Sequence, residues 1–288
     1  MKSTKTLLIV ISLVAMSALL KAQGTDTFSP GPYPNNKINP CGVYDKNVGD
    51  RRAINYTSLR ECDVAWEKRV WRDIDLREKQ NQPLYYPLEY NACRTSLFQT
   101  ITRQILSGNI IAFKDDEFLI PYDPAEFKKR IVKIDTLPQV IYTPEGEEIT
   151  EMVPVYDSTS IYERILKFRV KEDWYFDRQK SSLEVRIIGL AAFEYNAERD
   201  YYREVYWVYF PACRPYFARY DVYNFKNDAE RRSLDDIFWK RQFSSVIVKE
   251  SNVYDRYIDQ YQKGIDALVE SDKIKMNIFT WEHDLWNY

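Results

Sequence analysis

Histidine and glycine are scarce in this chain: 288 residues hold one His and eight Gly. The shortage of histidine confines any Ser-His-Asp or Cys-His arrangement to His283, in the C-terminal WEHDLWNY. A catalytic base or metal ligand needs convergent partners, so a histidine at a chain end reads more simply as a docking or capping residue. None of the glycines falls in a GxGxxG or GxxxxGK loop, which excludes the usual phosphate cradles. No CxxC or HxxxH spacing occurs, so zinc and iron sites lack their ligand pattern. Asp115-Asp116-Glu117 lacks the alternating ligands and turn glycine of a calcium loop and reads as a solvated turn. No metal or cofactor is expected. After residue 20 no apolar run is long enough to span a bilayer, and alternating segments of about ten residues are too few for an outer-membrane barrel.

What the chain does have begins with an address. Lys2 and Lys5 precede an unbroken run of 14 apolar or small residues, Leu7 to Leu20, and Lys21-Ala22-Gln23 follow. A charged start, a short apolar core and a small residue at the cut describe a secretory signal peptide over residues 1–22, cleaved after Ala22. No cysteine stands at the cut, so the chain carries no lipoprotein signal of its own. The remainder is expected to be soluble, in a periplasm or outside the cell. The net charge of −2 gives no electrostatic footprint for nucleic acid or anionic lipid. Export permits disulfides among Cys41, Cys62, Cys93 and Cys213, and sequence leaves their pairing open. Aromatic residues make up 15%, including 23 tyrosines, a type enriched at protein interfaces.

Residues 23–56 are rich in Pro, Gly and Asn, including SPGPYPNNKINP, and read as an extended arm. Residues 57–288 read as one α+β domain: helices at both ends flanking a small antiparallel sheet. The first helix is expected over 57–80, where Leu59, Cys62, Trp66, Val70 and Ile74 share a stripe and Val64 with Trp71 forms a second ridge. Pro83 should end it, with PLYYP extended beyond. A second helix is expected over 95–107, capped by Gly108. A strand is expected over 110–120, a short helix near 124–130, and extended pieces near Val140 and Val153. The clearest β signal lies in Ile165–Phe176, Leu183–Tyr195 and Tyr202–Phe210, separated by RQKSS and NAERD: a three-stranded meander. Ser233 and Asp236 have capping-box spacing for a helix to about Arg241. A helix over 252–270 and a last strand over 274–279 complete the reading.

Glycoside hydrolysis needs only two carboxylates and aromatic platforms, and Asp235-Asp236 is the most tempting pair. Ser233 just before it makes helix capping the simpler account. A periplasmic carbohydrate-binding or glycosidase-like protein is nevertheless the alternative reading, and an export chaperone a third.

Several segments in order carry a likeness: Val70-Trp71-Arg72 with Ile74-Asp75-Leu76-Arg77-Glu78, Pro83-Leu84-Tyr85-Tyr86-Pro87, Asn227-Asp228-Ala229-Glu230-Arg231-Arg232, Asp235-Asp236-Ile237-Phe238, Lys249-Glu250-Ser251-Asn252 and Glu282-His283-Asp284-Leu285-Trp286. Together they resemble the GldN/PorN family of the type IX secretion and gliding-motility machinery of Bacteroidetes, from about residue 60 onward. The resemblance implies a non-enzymatic periplasmic subunit. Its partners would be a GldK/PorK-type outer-membrane lipoprotein, copies of itself in a ring, and a GldM/PorM-type inner-membrane motor component. It implies no catalytic residue. Interface anchors are usually aromatic or arginine, which singles out Trp71, Arg72, Tyr85, Tyr86 and Trp286.

Overall fold

The structure is a computed structural model that describes residues 51–285, apart from residues 90, 92, 132, 143–147, 158, 198, 226 and 228. For residues 133–142, 148–157, 159, 160 and 285 only the backbone is described. The expected leader over residues 1–22, residues 23–50 of the expected arm, Cys41 and Trp286 lie outside the described residues.

Ten strands and seven α-helices are described. The strands are β1 (Val64–Asp75), β2 (Ala112–Phe113), β3 (Lys133–Tyr142), β4 (Glu148–Asp157), β5 (Ile165–Asp177), β6 (Ser182–Asn196), β7 (Tyr201–Tyr209), β8 (Asp221–Val222), β9 (Arg232–Ser233) and β10 (Val246–Glu250). The helices are α1 (Gln82–Tyr85), α2 (Leu97–Leu106), α3 (Pro124–Ile131), α4 (Thr159–Arg164), α5 (Phe210–Phe217), α6 (Leu234–Trp239) and α7 (Ile265–Leu285). Six strands form one antiparallel sheet in the order β10-β1-β5-β6-β7-β2. β3 and β4 make a separate hairpin, as do β8 and β9.

The meander β5–β7 forms where β-branched and aromatic residues alternate, and α2 opens on a capping box. There Ser96 accepts from the Gln99 amide and the Gln99 side chain accepts from Ser96 N–H. Gly108 follows α2 with φ +73°, the left-handed turn that ends a helix without a Cβ penalty. The class is α+β, but only the C-terminal end is helical.

The expected first helix is instead β1. Trp66, Val70 and Ile74 are four apart, and four residues return a side chain to the same side of a helix and of a strand alike. The two ridges read as helical are the two faces of a strand: Trp66, Val70 and Ile74 on one, Trp71 on the other. Cys62, expected on the buried stripe, is an exposed free thiol in a short 3-10 turn, Glu61–Asp63. Pro83 opens α1 rather than ending a helix, at the position where its missing N–H is no loss. The strand expected over 110–120 shortens to β2, because Asp115 accepts from the Leu119 and Ile120 amides and turns the chain.

At the C-terminus the helix expected over 252–270 holds only from Ile265, and the expected last strand is helical. Residues 252–264 turn: the Asn252 side chain accepts from Tyr254 and Arg256 N–H, Asp255 has φ +51° and Gly264 φ +59°. The segment 274–279 is helical, within α7. Lys-Ile-Lys-Met-Asn-Ile alternates like a strand, yet Ile274 and Ile278 are buried while Met276 faces out.

One face of the sheet carries the helix layer. Ile74, Phe168, Val170, Leu190, Ala192, Tyr206 and Val208 pack there with residues of α2, α3, α5 and α6. α7 packs along β10, where Val70 and Ile247 meet Ile258, Ile274 and Ile278. It also closes the sheet edge. The outward Ile247 N–H donates to the buried Ser271 Oγ at 3.0 Å, so the edge strand offers no free donor there. Ser271→Ala should therefore lower stability by roughly 1–3 kcal/mol, the cost of an orphaned buried donor. Urea unfolding would show the loss, with faster amide exchange at Ile247. An unchanged Ile247 exchange rate would remove the edge-cap argument.

Candidate functional site

The opposite face of the sheet is lined with charge and aromatic rings. Alternation on β5 places Lys167, Arg169 and Lys171 in one row, and β1 answers across the strand gap: Asp75 opposite Lys167, Asp73 opposite Arg169, Trp71 opposite Lys171. Arg169 donates to both carboxylate oxygens of Asp73, at 2.6 and 3.0 Å, while its guanidinium lies 4.6 Å from the Phe193 ring centroid. Trp71 sits between two lysines, with Lys249 Nζ 4.4 Å and Lys171 Nζ 5.4 Å from its ring. Its indole N–H donates to Asp116 Oδ2 at 3.1 Å, and Lys171 donates to the Asp116 carbonyl at 2.7 Å. The Asp115–Glu117 turn thus anchors a strap over this face. Phe118, held at φ +61°, presses its ring onto Gly189, where a Cβ would lie 2.6 Å away.

Among the expected anchors, Trp71 is only 5% exposed and belongs to this cluster with Ala191, Phe193 and Trp207. Arg72 points to the other side of β1, donating to Ser245 Oγ and to the Ser245 carbonyl. Burial pulls its guanidinium below the usual arginine value. Both side chains are consumed within the chain. Tyr85 is half-buried and donates its hydroxyl to the Glu163 carbonyl at 2.9 Å. Tyr86 is 54% exposed, and its ring meets Tyr85 edge-on at 4.9 Å.

Tyr86 opens a groove. With Pro83, Pro87, Arg94, Tyr223 and Phe225 it lines an apolar recess of about 320 Å³. Tyr223 and Phe225 are exposed and stand edge to face at 5.3 Å, with the Arg94 guanidinium 4.7 Å over Tyr223. A second bare surface runs along α7. Ile265, Leu268, Val269, Met276 and Phe279 are all at least half exposed, at spacings that put them on one side of the helix. Ser271, Ile274 and Ile278 are buried on the other. In the sequence Tyr223 and Phe225 have no periodic signal; Ile265 and Leu268 read as part of the buried face of a helix over 252–270 and Met276 with Phe279 as part of a strand, whereas all four are exposed on α7.

The carboxylates considered for catalysis are taken up by structure. Asp235 is buried and accepts two bonds from Arg214 at 2.9 and 3.1 Å. Asp236 closes the capping box of α6, accepting from Ser233 N–H while its own N–H donates to Ser233 Oγ. It also accepts from Arg51, which ties residue 51 to the domain. His283 is exposed on α7, with Nδ1 3.8 Å from Asp284. Cys93 is disulfide-bonded. Cys213 is a free, fully buried thiol whose pKa burial pushes up. Among the described residues no group of three His, Cys, Asp or Glu is placed to hold a metal ion, and no helix is long and apolar enough to cross a membrane.

What the arrangement offers is exposed apolar and aromatic surface beside internally neutralised charge. Comparison with known proteins bears on this. The family model described as "Gliding motility associated protein GldN" matches residues 59–287, most of the chain. No curated protein matches.

Proposed function

Since the chain belongs to the gliding motility associated GldN family, it is a component of the gliding-motility and type IX secretion apparatus, and we propose that its part there is structural: a periplasmic subunit that assembles with a GldK/PorK-type lipoprotein and with copies of itself into a ring needed for protein export. The family is one of motility and secretion structure, not a known enzyme family. The leader-like start supports a periplasmic address, and the lipoprotein would supply the link to the outer membrane. A GldM/PorM-type motor component would meet the ring from the inner-membrane side.

The observation that carries the assembly reading is the exposed groove of Tyr86, Tyr223 and Phe225 beside Arg94. Rigid aromatic rings with an arginine are the side chains that most often anchor interfaces, because they bury large areas at low entropy cost. All three rings are at least 40% exposed, so trimming them should largely spare the fold. Tyr86→Ala combined with Phe225→Ala is expected to change stability by no more than about 1 kcal/mol while cutting recovery of the lipoprotein at least tenfold in co-purification from the native envelope. Undiminished recovery would remove the groove from the interface. Isolation of the wild-type chain as a lone monomer from that envelope would sink the ring reading itself.

A further inference from the structure

A cavity of about 430 Å³ lies where residues 54–57 cross the domain, clear of the aromatic groove and of the α7 stripe. That volume suits a small organic molecule or a single anchoring side chain. Its lining mixes rings and cations. Four cations, Lys180, Arg186, Arg214 and Arg241, face two carboxylates, Glu184 and Asp235, so the wall carries excess positive charge.

Three of the cations are already neutralised. Arg214 holds Asp235, Lys180 holds Glu184 at 2.6 Å, and Arg241 reaches Glu172 at 3.0 Å. Arg186 is different. It makes no ion pair among the described residues; its Nη2 donates to the Thr57 carbonyl, its side chain also hydrogen-bonds Tyr175, and its Nε is buried without an acceptor. The neighbouring Glu184 accepts from Lys180 and from the Tyr175 hydroxyl, and it meets Arg186 through charge attraction without a hydrogen bond between them. The Arg186 guanidinium is held between two rings, 5.2 Å from Tyr56 and 5.2 Å from Tyr175. Tyr56 in turn stacks on Trp239 at 5.5 Å.

A guanidinium fixed between rings, with an unmet Nε–H and no carboxylate hydrogen-bonded to it, retains donors that a planar anion satisfies. We propose that this cavity binds a carboxylate carried on a flat apolar or aromatic body, with Arg186 as the charged anchor and Tyr56 and Trp239 as the stacking wall. The carboxylate accepts from Arg186, and the apolar body fills the space toward Phe210 and Phe238. This goes beyond the assembly reading and stands whether or not the groove is an interface. The same chemistry arrives either as a free small acid or as the C-terminal residue of a partner chain.

The test is calorimetric titration of the purified full-length protein with naphthalene-2-carboxylate and with the neutral naphthalene-2-carboxamide. A second pair of probes is acetyl-Ala-Phe with a free carboxylate and its C-terminal amide. In each pair the acid should bind at least about tenfold more tightly, the usual weight of a charge-assisted hydrogen bond. Arg186→Gln should erase that difference, and Arg186→Lys should keep part of it. Thermal unfolding of each variant establishes that it is folded. If the peptide acid binds more tightly than the naphthoate, the site is built for a chain end; the reverse order assigns it to a free acid. Acid and amide binding equally, an Arg186→Gln variant that retains the preference, or no binding by either acid would overturn the proposal.

Discussion

Trp71→Ala is expected to lower unfolding stability by about 3–5 kcal/mol, the range for emptying a buried tryptophan site. In a domain of this size that moves the midpoint of thermal unfolding by roughly 10 °C. The reason is where Trp71 stands. Its ring is the shared neighbour of Lys171 and Lys249, both nearly fully buried, and its N–H holds the Asp116 end of the strap. Removing the ring leaves a cavity between two lysines and frees an acceptor at Asp116, so a packing loss and an electrostatic one coincide. Trp71→Phe should keep the cation–ring contacts and lose only the hydrogen bond, with a deficit of about 1–2 kcal/mol. Chemical denaturation of the two variants separates these contributions. A Trp71→Ala protein as stable as wild type would show that the strap and the lysines rearrange freely. The same result bears on assembly: any loss of partner binding in Trp71→Ala has to be read against lost fold, whereas Tyr86 and Phe225 variants are free of that confusion.

The second large effect is expected at Arg214 and Asp235. The pair is buried and bidentate, and the Arg214 guanidinium also lies 4.3 Å from the Tyr56 ring and 4.9 Å from Trp239. Asp235→Ala leaves a buried guanidinium without its counter-charge, which costs about 3–5 kcal/mol. Replacing both partners with apolar residues of similar volume, Arg214→Met with Asp235→Leu, should restore most of the loss, because no charge is then stranded. The discriminating quantity is the coupling energy from the double-mutant cycle. A double variant as unstable as Asp235→Ala would mean that the stacking of Arg214 on Tyr56 and Trp239, rather than the ion pair, carries the contribution.

Much of the sheet was legible because its chemistry is local. Val185 to Tyr195 and Tyr202 to Tyr209 are dense in β-branched and aromatic residues and bounded by polar turns, so β6 and β7 declare themselves. Ser233 declares its helix through a cap that needs only three residues of context. β1 was illegible for a geometric reason: apolar residues four apart satisfy both periods, and only the partners β5 and β10, far away in sequence, decide between them. α7 misled in the opposite sense, since Ile274, Met276 and Ile278 alternate while packing uses only the first and third. β10 is five residues long and gives too short a pattern to register. Of the anchors read from sequence, Trp71 and Arg72 have the right chemistry for an interface but sit on a central strand. Burial of that strand on both faces is a property of the sheet order, not of the residues.

That order has a consequence in time. β1 is made early, yet its neighbours arrive late: Asp73 meets Arg169 across 96 residues of chain, and Arg72 meets Ser245 across 173. A chain that emerges N-terminus first therefore presents Trp66, Val70 and Trp71 with nothing to pair against until most of its length is available. Contacts of such long range are slow to close and cannot be rehearsed by a fragment. The sheet behaves as a clasp fastened by its last segment: the meander β5–β7 can pair locally, but β1 gains its second neighbour only when β10 and α7 arrive.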